Sequence, residues 1–276
     1  MIAIVLALGA SVCWGVGDFL GGVSARRLRV LGVLAISQAA GFVAVALVAP
    51  FAGGDFLGTE ASLAAVGAGC SGAIGLAALY RGMAVGAIGV VAPISASAAV
   101  IPVAVGITRG ERPATIQLVG VALALIGVVL VSREHGQTGR LAAGVPLALV
   151  AAAGFGSYFL FIDRASADDA FWAVTVARLA SSALALTAAA VAGALRVPRA
   201  SLPVLIAVGL FDVGANVLLA LALNEGFVSL VSVLASLYPV VTIMLAIAVL
   251  HERPGREQAI GGAAALVGVG LISAAA

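Results

Sequence analysis

The stretch ERPATIQLVGVALALIGVVLVS, Glu111–Ser132, returns 141 residues later as ERPGREQAIGGAAALVGVGLIS, Glu252–Ser273. Twelve of the 22 positions are identical, among them Gln117/Gln258, Gly127/Gly268 and Ser132/Ser273, and most others exchange one small or aliphatic residue for another. An Ala/Val/Leu/Gly alphabet reproduces apolar runs by chance, but not a shared Glu-Arg-Pro, Gln and Ser. The chain therefore carries an internal repeat, and its period is too long for a solenoid unit.

Of the 276 residues, 63% are hydrophobic and only 9% charged. A water-exposed surface cannot be built from that composition, so the chain belongs in a bilayer. Its 14 basic residues, all Arg, are scattered in ones and twos against a net charge of +2. No patch tracks a phosphate backbone, and nucleic acid is excluded as a partner. Cys13 and Cys70 lie inside apolar runs without CxxC or His-rich spacing, which indicates neither disulfide nor metal. The apolar stretch from Met1 has no basic segment before it and no cleavage signature at Ala10–Cys13; it reads as a retained first span.

A bilayer core needs about 20 apolar residues per helix, and backbone polar groups in lipid must pair internally, which favours helices. Charges, glycines and prolines then divide the chain into spans at 2–24, 30–51, 61–80, 84–107, 115–132, 141–162, 169–194, 202–224, 228–250 and 257–275. The expected fold is an all-α membrane protein of ten transmembrane helices, arranged as two inverted five-helix repeats, 1–132 and 141–276, joined by a linker at 133–140. Five is odd, so the second copy enters the membrane from the opposite side. The two Glu-Arg-Pro turns then fall on opposite faces, an organisation typical of carriers that alternate access around a central site. Trp14-Gly15 aligns with Phe155-Gly156 at the same offset.

These features resemble the drug/metabolite transporter superfamily, specifically its EamA type of ten-span carrier. The likeness rests on Trp14-Gly15 in the first helix, Arg178 in the second helix of a half, and the Gly110-Glu111-Arg112-Pro113 and Glu252-Arg253-Pro254 turns before Gly-rich last helices. It covers nearly the whole chain. It implies a carrier of small organic molecules such as amino acids, metabolites or toxic compounds, with some members importing sugars. One departure is Gln38, which stands near the place where the first half would carry its Arg. The resemblance also implies cytoplasmic termini. The positive-inside rule gives the reverse, because loops after odd-numbered spans carry ten Arg and the others three.

An ionisable side chain near the bilayer centre costs about 2.5–3.5 kcal/mol on insertion scales, so each must face a partner, water or cargo. Asp212 lies near the middle of the eighth span, with Asn216 one turn on and on the same side; Arg178 lies in the seventh. The two charges can form a structural pair, or a pair whose breaking by protons or substrate drives switching. Asp18 sits in WGVGDFLGG near the end of the first span. It either reaches the interface beside Arg26 and Arg27 or forms a proton or cation site among glycines that admit close helix approach. Pro93 and Pro102 interrupt the fourth span and Pro239 the ninth, the hinge positions of the two halves. Ser95, Ser97, Ser232, Ser236 and Tyr238 beside them offer hydroxyls to a ligand, and Trp14 and Tyr158 an aromatic wall. Tyr80 and Trp172, at span ends, read as interface anchors.

Other classes fare worse. His135 and His251 both lie in loops, and GxSxG, HExxH and ATP-binding motifs are absent, so neither an enzyme nor an ATP-driven pump is expected. The expectation is a secondary exporter in a bacterial-type inner membrane, monomeric or homodimeric, without cofactor or metal, with proton coupling through Asp212 or Asp18 set against facilitated diffusion. The third, fourth, eighth and ninth spans should line its cavity. A channel-like facilitator, or an importer of sugars or nucleosides, is the competing reading.

Overall fold

The computed structural model describes residues 1–85, 91, 94–131, 144–250 and 256–274, and the regular elements among them are all helical. They are α1 (Ile2–Ala25), α2 (Val30–Ala52), α3 (Thr59–Val85), α4 (Val100–Thr108, entered through a 3-10 turn at Ser97–Ala99), α5 (Thr115–Val131), α6 (Val145–Ser166), α7 (Ala170–Val191), α8 (Leu202–Glu225), α9 (Val228–Ala235), α10 (Tyr238–Leu250) and α11 (Arg256–Ala274). Among the described residues six helices, α1 to α3 and α6 to α8, are long and apolar enough to cross a membrane. Shorter apolar helices occupy Ile94–Thr108, Thr115–Gly127 and Val228–Thr242. Together with large aliphatic side chains left exposed along the helices, such as Val43, Leu47, Leu63 and Leu149, this makes an integral membrane protein, since such a surface is stable only against lipid.

The helix contacts obey an exchange rule. α1 packs on α8 as α3 packs on α6; α2 packs on α8 as α7 packs on α3; α1 meets α10 as α6 meets the 3-10 turn and α4. The pairs α2 with α7 and α5 with α11 each join an element to its own counterpart. Two copies related by a two-fold axis produce this pattern. The axis runs across the helices, because the counterparts α2 and α7 are antiparallel. Arg29, entering α2, donates to the carbonyls of Ala192 and Gly193 at the end of α7 (3.2 and 3.3 Å). Gly54, just past α2, donates to Asp169, the N-cap of α7 (2.7 Å).

Small residues allow these contacts. A Cβ at Gly69 would overlap the Ala177 carbonyl, and one at Gly209 the Ser37 carbonyl, so α3 against α7 and α8 against α2 cross at the same kind of backbone approach. Gly15 meets Tyr238 and Val241 while Gly156 meets Ala98 and Ile101. The Trp-Gly and Phe-Gly of the two repeats thus hold equivalent places against the broken helices. Without a hydrophobic drive between helices in lipid, such close packing is the main source of association.

The helix bounds differ from the sequence expectation in places. α3 runs through Arg81 to Val85, where a break was expected: Arg81 is exposed, so a charge alone does not end the helix. α6 starts at Val145 and reaches Ser166. The ninth span is interrupted, though not at its proline, and the fourth passes through the 3-10 turn at Ser97–Ala99. Pro239 is the second residue of α10, where its missing N–H costs nothing; the break itself is at Ser236–Leu237. Pro102 is buried inside α4, three residues beyond the 3-10 turn. Pro93, His135, His251 and the Glu252-Arg253-Pro254 turn lie outside the described residues.

Candidate functional site

At the middle of the bundle Asp212 is the hub of a buried polar network. Its carboxylate accepts from Arg178 Nη1 (2.6 Å) and Gln38 Nε2 (3.0 Å) on one oxygen, and from Trp14 Nε1 (3.1 Å) and Asn216 Nδ2 (3.1 Å) on the other. Arg178 also donates to Gln38 Oε1 (2.6 Å), as does Ser181 Oγ (2.8 Å), and the Tyr158 hydroxyl donates to Asn216 Oδ1. α1, α2, α6, α7 and α8 are therefore knotted together through one carboxylate. Gln38 and Arg178 hold equivalent positions in α2 and α7, as Gly69 and Gly209 do in α3 and α8, at an offset of 140 rather than 141. The two-fold axis thus passes between an amide and a guanidinium that touch.

The network forms part of the wall of a cavity, the concave setting in which small molecules bind. Trp14, Phe155, Phe159 and Tyr238 supply aromatic surface, and Trp14 meets Phe159 and Tyr238 edge-on at centroid distances of 6.0 and 6.3 Å. Ser95 and Ser236, equivalent at the 141 offset, enter the lining from the two broken helices. Asp18 lines it as well, with the Tyr80 hydroxyl beside it in the space that Gly21 leaves.

Of the residues singled out in the sequence, Trp14, Asp18, Gln38, Ser95, Tyr158, Arg178, Asp212, Asn216, Ser236 and Tyr238 converge on this cavity. Ser97 does not: it is exposed, and its hydroxyl donates to the Ile94 carbonyl (2.6 Å), because the 3-10 turn swings it out of the lining. Ser232 is turned inward on its own helix, donating to Val228 O (2.5 Å). Tyr80, read as an interface anchor, is buried against Asp18, because α3 continues past it. The lining is also wider than the four spans expected, since α1, α2, α6 and α7 contribute Asp18, Arg178 and most of the aromatic groups. Ser181 was missed; its position one turn from Arg178, on the same helix face, was the available signal.

The face carrying the loops after even-numbered spans is cross-tied. Arg164 pairs with Glu60 (2.7 Å), Arg109 with Asp163 (3.5 Å), and Asn224 donates to the Ser166 carbonyl (2.9 Å). Glu111, from the repeated Glu-Arg-Pro, accepts from the first backbone amides of α9, Val228 (2.8 Å) and Ser229 (3.2 Å). Gly110 at φ +95 makes the turn that aims this carboxylate, and Gly106 leaves room for it. A charged cap satisfies orphan amides and meets the positive end of the helix dipole. Replacing Glu111 by Ala is expected to destabilise the protein by about 0.5–2 kcal/mol, seen as a lower thermal unfolding midpoint in detergent, while Arg112→Gln next to it, exposed in the structure, leaves the midpoint unchanged.

The model of the EamA-like transporter family matches the chain twice, over residues 1–133 and 142–274. The chain belongs to the EamA-like transporter family. Members of this family are transporters rather than enzymes, and the chain is accordingly a membrane transporter of small molecules. Among 28 matching chains of solved structures, one crystal structure superposes on this EamA-like transporter with a TM-score of 0.78 at 16% identity, covering 98% of this chain and 95% of that one. Such a likeness speaks for the fold alone. No curated protein matches the chain.

Proposed function

We propose that this EamA-like protein is a ten-span secondary exporter of a small organic metabolite in a bacterial-type inner membrane. Its repeats, 1–132 and 141–276 joined by 133–140, rock about the midplane cavity and expose it to each side in turn. The observation that carries the reading is the cavity where two interrupted helices of opposite repeats meet, with Ser95 and Ser236 at matching places in its wall. The cross-ties through Glu60, Asp163 and Glu111 close one face and must part when it opens. Asp18 is the proton carrier, because Asp212 is already saturated by four side-chain donors whereas Asp18 faces the cavity with the Tyr80 hydroxyl as its hydrogen-bonding neighbour.

Counterflow in proteoliposomes tests the carrier: saturable exchange supports it, and conductive flux without exchange overturns it in favour of a channel. For coupling, uptake is measured with and without a pH gradient. Asp18→Asn is expected to abolish the gradient dependence, while unchanged dependence in that variant removes Asp18 from the mechanism.

A further inference from the structure

We infer that the cavity takes a small organic monocation, an amine with an aromatic or branched aliphatic body, whose ammonium group sits at Asp18. The inference rests on the transporter reading and names its cargo. Among the described lining residues three carry charge: Asp18, Arg178 and Asp212. Arg178 and Asp212 cancel each other at 2.6 Å. The same guanidinium nitrogen is shared with Gln38, and the remaining acceptor positions of Asp212 are filled by Gln38, Trp14 and Asn216. One negative charge is left over, that of Asp18. Among the described residues the groups that face it are the Tyr80 hydroxyl from α3, Asp212 from α8 and Tyr238 from α10, none of them a cation.

The remainder follows from the divergence of the repeats. A site with a cation in both α2 and α7 would sum to zero with the two aspartates; with Gln38 in α2 it sums to minus one. An uncompensated carboxylate in a low-dielectric cavity is stable only with a proton or a cation as partner. A carboxylate cargo would add a second negative charge, and a zwitterion would have to draw Arg178 away from Asp212.

A second observation points to the same ligand. The Ser236 hydroxyl is buried at 2% exposure, has no hydrogen-bond partner among the described residues and lines the cavity, so it offers an acceptor to an ammonium N–H. Trp14, Phe155, Phe159 and Tyr238 supply the apolar body's surface and ring faces that attract a cation. Proton and amine compete for one carboxylate, so inward proton movement and outward amine movement share a site.

The test compares four probes with one carbon frame on the full-length protein in nanodiscs: 2-phenylethylamine, 3-phenylpropanoate, phenylalanine and 2-phenylethanol. Binding is read by calorimetry and transport by counterflow. The amine is expected to bind at least tenfold more tightly than the other three, and its Kd to rise as pH falls. In Asp18→Asn its preference over the alcohol is expected to vanish; in Asp18→Glu, which keeps the carboxylate and reports on folding through its thermal midpoint, the preference is retained. Tighter binding of the zwitterion or the anion, an amine affinity independent of pH, or an amine preference that survives Asp18→Asn overturns the inference. Exchange of phenylalanine without exchange of the amine overturns it while the transporter reading stands. Amine binding with no saturable exchange of any probe overturns the transporter reading instead.

Discussion

Replacing Arg178 by methionine is expected to cost about 3–5 kcal/mol, the loss typical of breaking a buried ion pair and leaving one charge without its partner. The side chains of Arg178 and Asp212 are only 8% and 15% exposed, so water cannot take over the role of the guanidinium. Asp212→Asn is expected to be damaging as well, because it removes the common acceptor of Trp14, Gln38 and Arg178. The Arg178→Met/Asp212→Asn double variant should be clearly less destabilised than the sum of the two, since neither charge is then stranded. The measurement is a double-mutant cycle on unfolding midpoints in detergent. Additive losses would show that the pair contributes no coupling and that the two side chains act separately.

The second large effect is expected at the helix crossings. Gly209→Val forces a branched side chain into the Ser37 carbonyl and the Ala40 methyl, and Gly69→Val does the same against Ala177 and Ala180. The nearest neighbours are backbone carbonyls, which cannot rotate away. Overpacking of this kind costs about 1–3 kcal/mol, sometimes more, and should appear as loss of monodisperse protein on gel filtration and a lowered midpoint. Gly22→Ala is the control, because nothing lies within 4 Å of a Cβ there; a change within about 0.5 kcal/mol is expected. A Gly209→Val protein as stable as the parent would mean that α8 and α2 do not approach as closely as described.

Much of this architecture was legible in the chain because membrane insertion writes it in a coarse code. Apolar runs must be span-length, charges are costly inside them, and a copied Glu-Arg-Pro betrays duplication. Arg178, Asp212 and Asp18 stood out for the same reason, as side chains that lipid would not tolerate without a partner or a role. What periodicity does not carry is how far each helix runs and which way its hydroxyls turn. Ser97 is two residues from Ser95 yet faces outward, since a single 3-10 turn reorients it. Tyr80 was misread because Arg81 marks a span edge only when the helix actually stops there, and α3 does not. The capping contact of Glu111 pairs residues 117 positions apart; no local pattern encodes such a distance.

The mismatch of Gln38 with Arg178 on the two-fold axis bears on the resting equilibrium. Were the halves chemically equal, tipping the bundle one way or the other would give two conformations of equal energy, and an empty carrier would spend half its time facing each compartment. An amide opposite a guanidinium lifts that degeneracy, and each 1.4 kcal/mol of difference shifts the resting populations about tenfold. In the proposed alternating-access cycle the vacant protein is therefore expected to favour one compartment, and a substitution on the axis to shift that balance.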